Sequence, residues 1–567
     1  MAAFTDIPLD LRELPFSVRG SWLDLSPVVG MHRVVDDIHL VSHTTGMHPV
    51  LRLIPERRER VAADLAATPS RVVWSDADGV VEAVFDGPDA VRFRGRGLGM
   101  RFAASDELTP FTGGYLFTDP VDGAVTLTSY ETGRRYRFTV LAGEATVTGD
   151  GALGAGPRDV GFAATEDWEV RIAETAAGVR RAAPVTAFDE LVARRRTEFS
   201  RYCAGVLGDA EATPAAVKAA YVLWSATVEP AGFVGREAIL MSKHWMDKVW
   251  SWDHCFNALA LAGLDADAAL DQFLLPFDHQ DDGGALPDSV THSEVLYNFV
   301  KPPIHGWAFR MLRERVTVPF DDGALRLVYR RLARWTRFWL ESRRAPGHSL
   351  PYYQHGNDSG WDNATLFDRN RVVESPDLAA FLILQLDEVA RLATELGESP
   401  AEWTDARTEL ERALFGELWV GDRFVARGVA DGEPSTTTSL LGSVPLVLGE
   451  RLPADVSAVL ARSVEEHLTP WGPATEPPDS PLYESDGYWR GPVWAPSTYL
   501  IVDGLRRAGH TGLAERVGRA FLAACERSGF AENFDALTGE GLRDRAYTWT
   551  AAVYLLLAAD LTPTGDR

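Results

Sequence analysis

From about residue 213 onward the chain carries ten stretches with apolar residues at helical spacing: 215–228, 249–263, 293–314, 322–343, 376–396, 401–416, 453–468, 492–508, 511–528 and 545–560. Helices in such a succession bury their apolar stripes against one another, so the pattern predicts an all-α domain. Their pairwise arrangement predicts an α/α toroid, in which loops at one end of the inner helices converge on a central pocket. The punctuation agrees. Asp321 or Asp322 stands before one stretch, Gly397 follows another, and Pro492 after Gly491 opens a third. The last stretch, RAYTWTAAVYLLLAAD, is apolar nearly all round, as a helix enclosed by others should be.

Residues from about 15 to 180 follow a different rule, with short alternating runs such as RVVWSD, GVVEAVFDG, AVRFRGRGLGMRF and RRYRFTVLAG between Gly, Asp and Pro. This predicts an antiparallel β-sandwich. The expected division is a β-sandwich over 1–185, a helical linker over 186–212 that contains FDELVARRRTEFSRYCA, and the toroid over 213–567.

Composition narrows the function. The net charge of -25, from 81 acids against 56 bases, repels phosphate backbones and anionic lipid, so neither nucleic acid nor membrane is expected as a partner. The oligomeric state stays open. Only four basic residues are lysine (Lys218, Lys243, Lys248, Lys301), a bias that reads as gene base composition. Cys203, Cys255 and Cys525 are odd in number and widely spaced, which suits a reducing compartment. The opening MAAFTDIPLDLRELPF has no basic or apolar leader pattern, and no apolar run is long enough to span a bilayer, so a cytoplasmic enzyme is expected. No HExxH, phosphate loop or dinucleotide fingerprint occurs. The series Asp265, Asp267, Asp271 lacks the glycine and final glutamate of a calcium loop and reads as helix capping. No cofactor and no metal are expected.

Two carboxylates stand in distinctive settings. Asp362 lies in SGWDN after the loop-rich GHSLPYYQHGNDSG, and Glu532 lies in AENF, closed by Thr538-Gly539. Local sequence alone favours an Asx-turn or cap residue for Asp362, and glutamate is most often a surface group. A Trp beside Asp362 would desolvate its carboxyl and keep it protonated, as a general acid requires. Gly529, Phe530 and Phe534 around Glu532 suggest a shaped apolar pocket. Trp245, Trp250, Trp252, Trp361, Trp489, Trp494 and Trp549 gather in the same motif segments, and aromatic planes pack on the C–H faces of sugars. Asp253, Asn257, Gln280, Asp282 and Arg490 accompany them as groups able to bind hydroxyls.

Taken together, WSWDHCFNALALAG, the turn Gln280 to Pro287, SGWDN, YWRGPVW and ENFDALTGEG resemble, in order and over roughly residues 235–560, family 63 of the glycoside hydrolases. The resemblance implies inverting α-glycosidase activity on an (α/α)6 barrel, with Asp362 as general acid and Glu532 as general base. It further implies Trp252, Asp253, Arg490 and Trp494 as sugar-contacting positions; Gln280, Trp361, Asn363, Trp489 and Trp549 complete the expected substrate site. The segment EPPDSPLYESDG before YWRGPVW is unusual, which leaves the aglycone side undefined.

The expected reaction is exo-hydrolysis, with inversion, of a terminal α-glucosyl or α-mannosyl linkage in a small carbohydrate. An inverting pair stands about 6.5–9.5 Å apart to admit water. A phosphorylase or epimerase on the same toroid, or a noncatalytic carbohydrate-binding protein, are the alternatives.

Overall fold

The computed structural model describes residues 6–562 apart from 32, 106–113, 155, 177–185 and 209. The chain forms two compact units, Met1–Gly205 with Ala220–Lys248 and Thr291–Ser293, and Val206–Ala219 with Val249–Val290 and Glu294–Arg567.

In the first unit, strands form two antiparallel sheets. The six-stranded sheet runs, neighbour to neighbour, Leu23–Gly30, Arg33–Ser42, His48–Glu56, Gly99–Ala104, Asp159–Phe162 and Ala145–Thr148. The eight-stranded sheet runs Asp64–Thr68, Arg71–Ser75, Val80–Phe85, Ala90–Arg96, Trp168–Thr175, Arg135–Ala142, Val125–Ser129 and Gly114–Thr118. Strand alternation sends aromatic side chains from both sheets inward, where they meet. Phe102 of the six-stranded sheet lies edge-on to Phe93, Phe138 and Trp168 of the other, and Phe162 stacks on Trp168 at 4.8 Å.

The division expected at 186–212 falls differently. Helix α1 (Phe188–Leu207) lies mostly in the first unit, and so does the segment 220–248 that follows the first turns of α2 (Pro214–Ala226). Hydrogen bonds hold that segment there. Gly20 donates to the Thr227 carbonyl, buried Lys243 donates to Ser17 Oγ and to the Ser225 carbonyl, and His43 bridges Asp24 and Asp247 at 2.7 and 3.1 Å.

The second unit is helical: α3 (His254–Leu261), α4 (Ala266–Asp278), α5 (His305–Arg315), α6 (Asp322–Arg337), α7 (Pro376–Glu395), α8 (Ala401–Ala413), the 3-10 segment Leu440–Arg451, α9 (Ala454–His467), α10 (Ala495–Arg507), α11 (Thr511–Ser528) and α12 (Thr548–Leu561). Six of these close a ring. Starting from α3, contact passes to α5, α7, Leu440–Arg451, α10 and α12, and α12 returns to α3. The others pack outside: α4 on α3, α6 and α8 on α7, α9 on Leu440–Arg451, and α11 on α10 and α12. This is the expected toroid. Burial follows position, since every residue of α3 and residues 548–557 of α12 are buried, whereas α6 buries one stripe. A Cβ at Gly306 of α5 would sit 2.2 Å from the Gln385 backbone of α7, so glycine sets how closely these inner helices approach.

Two elements of the toroid are additional to the ten expected helices. Helix α4 is capped by Asp265, whose carboxylate accepts from the amides of Asp267 and Ala268, so the capping reading holds although the helix behind that cap was not expected. Leu440–Arg451 contains Pro445 and kinks at Gly449, yet Leu440, Leu441 and the run Ser443–Gly449 are buried; tertiary packing overrides poor propensity. Conversely, residues 293–304 are not helical, because Pro302 and Pro303 delay α5 to His305. Among the described residues no helix is long and apolar enough to cross a membrane.

Candidate active site

Inner helices of the ring are each separated in sequence by an outer one, so they run the same way and their N-terminal ends face one rim. The motif segments sit at those ends. Trp252 and Asp253 precede α3, Lys301 precedes α5, SGWDN lies on the approach to α7, Trp489 and Trp494 precede α10, and Glu532 to Tyr547 precede α12.

Backbone pairing then brings the distant carboxylates together. Val249–Trp250 pairs with Ser289–Val290, which places Asp288 beside the Trp252-Asp253 corner. Asn363 links the next two loops, its amide donating to the Gly487 carbonyl at 3.0 Å and its carbonyl oxygen accepting from the Trp489 amide at 3.0 Å. Val493 and Phe534 exchange backbone hydrogen bonds at 2.8 and 3.0 Å, and Glu532 N donates to the Asp544 carbonyl at 2.8 Å. The path from Asp362 through Asn363, Trp489, Val493 and Phe534 to Glu532 joins residues 170 positions apart.

Tryptophans fill the space between these loops. Trp361 lies 4.7 Å from Trp489, Trp489 stacks on Trp494 at 4.0 Å, Trp494 meets Trp549 edge-on at 5.6 Å, and Trp549 meets Trp252 at 5.7 Å. All five are buried. Gly360 is required at the junction: its φ of 73° is left-handed, and a Cβ there would stand 2.5 Å from the Trp252 ring. Gly360→Ala is therefore expected to cost about 1–3 kcal/mol of stability, read as a lowered melting temperature, with activity falling as Trp252 and the SGWDN loop are pushed apart.

Electrostatically the site is a group of buried carboxylates around few cations. Burial pushes Glu532 up to about 8; the Asp544 and Asp362 charges add to this, while Arg543 and the facing Tyr488 hydroxyl oppose it. Burial also raises Asp362, against the pull of Lys301, with Asp288 raising it and His355 lowering it. Asp253 is pushed up to about 8 by burial; among the described residues its Oδ2 has no hydrogen-bond partner and its carboxylate makes no capping bond to α3. Asn257 Oδ1 and Trp549 Nε1 are likewise buried without partners. Such atoms are costly to leave unpaired, and incoming hydroxyl groups would satisfy them. The Asp362 side chain itself is 29% exposed, so it opens toward solvent.

Not every expected residue stands ready for a ligand. Arg490 is engaged by Asp368 at 2.8 Å and Glu484 at 3.1 Å, which makes it a clamp between loops. Gln280 donates to the carbonyls of Gly284 and Arg331 and braces its own turn. Trp494 is fully enclosed, and its indole N–H donates to the Tyr488 carbonyl at 2.9 Å. Asn363, as shown, joins two loops.

Other residues of the group went unread in the sequence: Asp288, Lys301, Tyr488, Asp544 and Tyr547. Tyr488 and Arg543 both adopt left-handed backbone, at φ of 65° and 63°, and the Arg543 guanidinium covers the Tyr488 ring at 4.9 Å. Non-glycine residues in that region carry strain that persists where the surroundings enforce it, and both flank Glu532. Local sequence holds no signal for such a conformation.

Comparison with known proteins agrees with this geometry. The family model described as mannosylglycerate hydrolase MGH1-like glycoside hydrolase domain matches residues 246–550. A mannosylglycerate hydrolase of Rubrobacter radiotolerans is 25% identical over 407 residues, covering 54% of this chain and 89% of the relative. A glucosylglycerate hydrolase of Mycolicibacterium hassiacum is 23% identical over 441 residues, covering 60% and 97%. Among solved structures, a family 63 mannosylglycerate hydrolase of Thermus thermophilus in complex with glucose superposes with a TM-score of 0.54 at 25% identity, over 60% of this chain and 98% of its own. The ring of inner helices, the motif loops at its rim and these matches together place the chain in the MGH1-like domain family of glycoside hydrolase family 63, as an enzyme that hydrolyses O-glycosyl bonds.

Proposed function

We propose that this chain is an exo-acting, inverting glycosidase that removes a terminal α-glucosyl or α-mannosyl unit from a small glycoside, with Asp362 as general acid and Glu532 as general base. The observation that carries the reading is the pair itself. Two carboxyl groups from distant segments lie within electrostatic reach of one another, and burial raises both. In this reading the Asp362 proton passes to the glycosidic oxygen as the bond to the anomeric carbon breaks. Water adds to that carbon from the opposite face and gives its proton to Glu532.

The sugar unit is assigned to the Trp252, Asp253, Trp361 and Trp549 side of the site. There the unpartnered Asp253 Oδ2 and Trp549 Nε1 supply an acceptor or donor and a donor for ring hydroxyls. The relatives named for glycerate conjugates support a small aglycone that carries a carboxylate. Arg490 and Arg543 are already ion-paired, the second to Asp486 at 2.8 Å, so neither is an idle cation for that group.

The test is turnover of a panel of α-glucosides, α-mannosides and glycerate conjugates by wild type, Asp362→Asn and Glu532→Gln. Release of free sugar by wild type and its loss in both variants is the expected result. No turnover of any member, or turnover undiminished in both variants, would contradict the reading.

A further inference from the structure

We propose that Lys301 is a positioning residue for the acid of this reaction, its ammonium held between Asp288 and Asp362 so as to orient the Asp362 carboxyl and stabilise the carboxylate that remains once the proton has left. The proposal rests on the reading of Asp362 as the acid. Lys301 Nζ stands 3.2 Å from Asp288 Oδ1 and 3.9 Å from Asp362 Oδ1, and it donates to the Asn357 carbonyl at 3.0 Å. Its side chain is 7% exposed, so the charge is screened little by water.

The geometry around this ammonium is built. Pro302 and Pro303 follow Lys301 and fix the backbone ahead of α5. Asn357 belongs to the 3-10 turn Gly356–Ser359 that leads into Asp362. Next to it, Asp358 accepts from the Val300 amide at 3.2 Å and from Arg343 at 2.7 Å and the Gln354 amide at 2.8 Å. Residues 300–301 are thereby tied to residues 357–358 through both backbone and side chains. The lysine binds the loop that carries the acid as well as the acid itself.

Charge makes the same case. Asp362 faces the like charge of Asp288 within a buried cluster that also holds Asp253, Glu532 and Asp544, with Tyr488 and Tyr547 among them and Arg543 and His355 as the other basic groups. As Asp362 gives up its proton, a negative charge appears beside Asp288 in a site with little water. An ammonium within ion-pair distance offsets that cost, and it is itself kept protonated: burial lowers its pKa, but Asp362, Asp288 and Asp253 outweigh this and raise it.

The experiment compares the pH dependence of kcat/KM for wild type, Lys301→Met, Lys301→Arg and Asp288→Asn, beside Asp362→Asn, with circular dichroism to confirm folding. Lys301→Met is expected to move the alkaline limb upward by about one to two pH units, because Asp362 loses the cation that favours its ionised form. Its kcat should fall about ten- to a hundredfold while KM changes little. Lys301→Arg should restore the limb in part. Asp288→Asn should move the limb the other way, since removing a like charge makes Asp362 easier to ionise.

A loss of kcat in folded Lys301→Met with the limb unmoved would mean a structural role only and would overturn the proposal. Should Lys301→Met not fold, Asp288→Asn decides: a limb that stays or rises overturns it. Activity retained in Asp362→Asn would instead sink the reading of the acid on which the proposal stands.

Discussion

Asp362→Asn is expected to lower kcat about a thousandfold on glycosides with an ordinary alkoxide leaving group, and far less on a glycosyl fluoride. General acid catalysis contributes about 10²–10⁴ in rate, and its value scales with how badly the leaving group needs a proton. Fluoride departs without one. The carboxamide keeps the size of Asp362 and most of its surroundings, including the packing of Trp361 on Trp489, so the loss would report the proton and not the fold. Equal loss on both substrates would show that Asp362 does something other than protonate the leaving oxygen.

Glu532→Gln is expected to remove activity on both kinds of substrate, again by about a thousandfold or more, because activation of water is needed whichever group departs. Its effect on stability should have the opposite sign. The folded pKa of Glu532, raised to about 8 by burial, lies above the value of an unfolded glutamate, so the folded state binds the proton more tightly. The stability this contributes is full below the unfolded pKa and is lost as pH rises through about 8. Glu532→Gln, which cannot ionise, should therefore melt at a higher temperature than wild type at pH 8 and show little advantage at pH 4. A lower melting temperature at both pH values would show that the carboxylate is held by contacts that outweigh its burial.

The pair also sets a pH window. The proposed mechanism needs one proton across the two groups, on Asp362 and not on Glu532, and burial raises both. With Glu532 behind the acid limb and Asp362 behind the alkaline limb, both limbs of kcat/KM are expected above the ordinary carboxylate range. Limbs that both fall within the ordinary carboxylate range would mean that the site fills with enough water in solution to cancel the burial.

The toroid was legible because helix periodicity is local and repeats. Even so, Leu440–Arg451 was missed: Gly442, Pro445 and Gly449 break the pattern, and only its place in the ring, between α7 and α10, makes it helical. Residues 293–304 erred the other way, since apolar spacing continued into a segment that Pro302 and Pro303 keep extended or turned. The loops that carry Asp362 and Glu532 stand out in the sequence through their company of Trp, Gly and Phe. The ion pairs of Arg490 with Asp368 and Glu484 join it to partners 122 and 6 positions away, which no local pattern reveals.

Lys301 is the instructive omission. In a chain that uses arginine for nearly every cation, four lysines were set aside as base composition, yet two of them, Lys243 and Lys301, are buried. Lysine and arginine are not interchangeable there, because a buried compact ammonium and a planar guanidinium satisfy different partners. Tyr488 offered no comparable hint.

The most direct test of the central claim is proton NMR of the first product released from an α-linked substrate, recorded before mutarotation. An inverting pair with water between its members predicts that the β-anomer appears first and the α-anomer grows in only as the sugar equilibrates. The α-anomer appearing first would require a covalent intermediate and would contradict the roles given to Asp362 and Glu532.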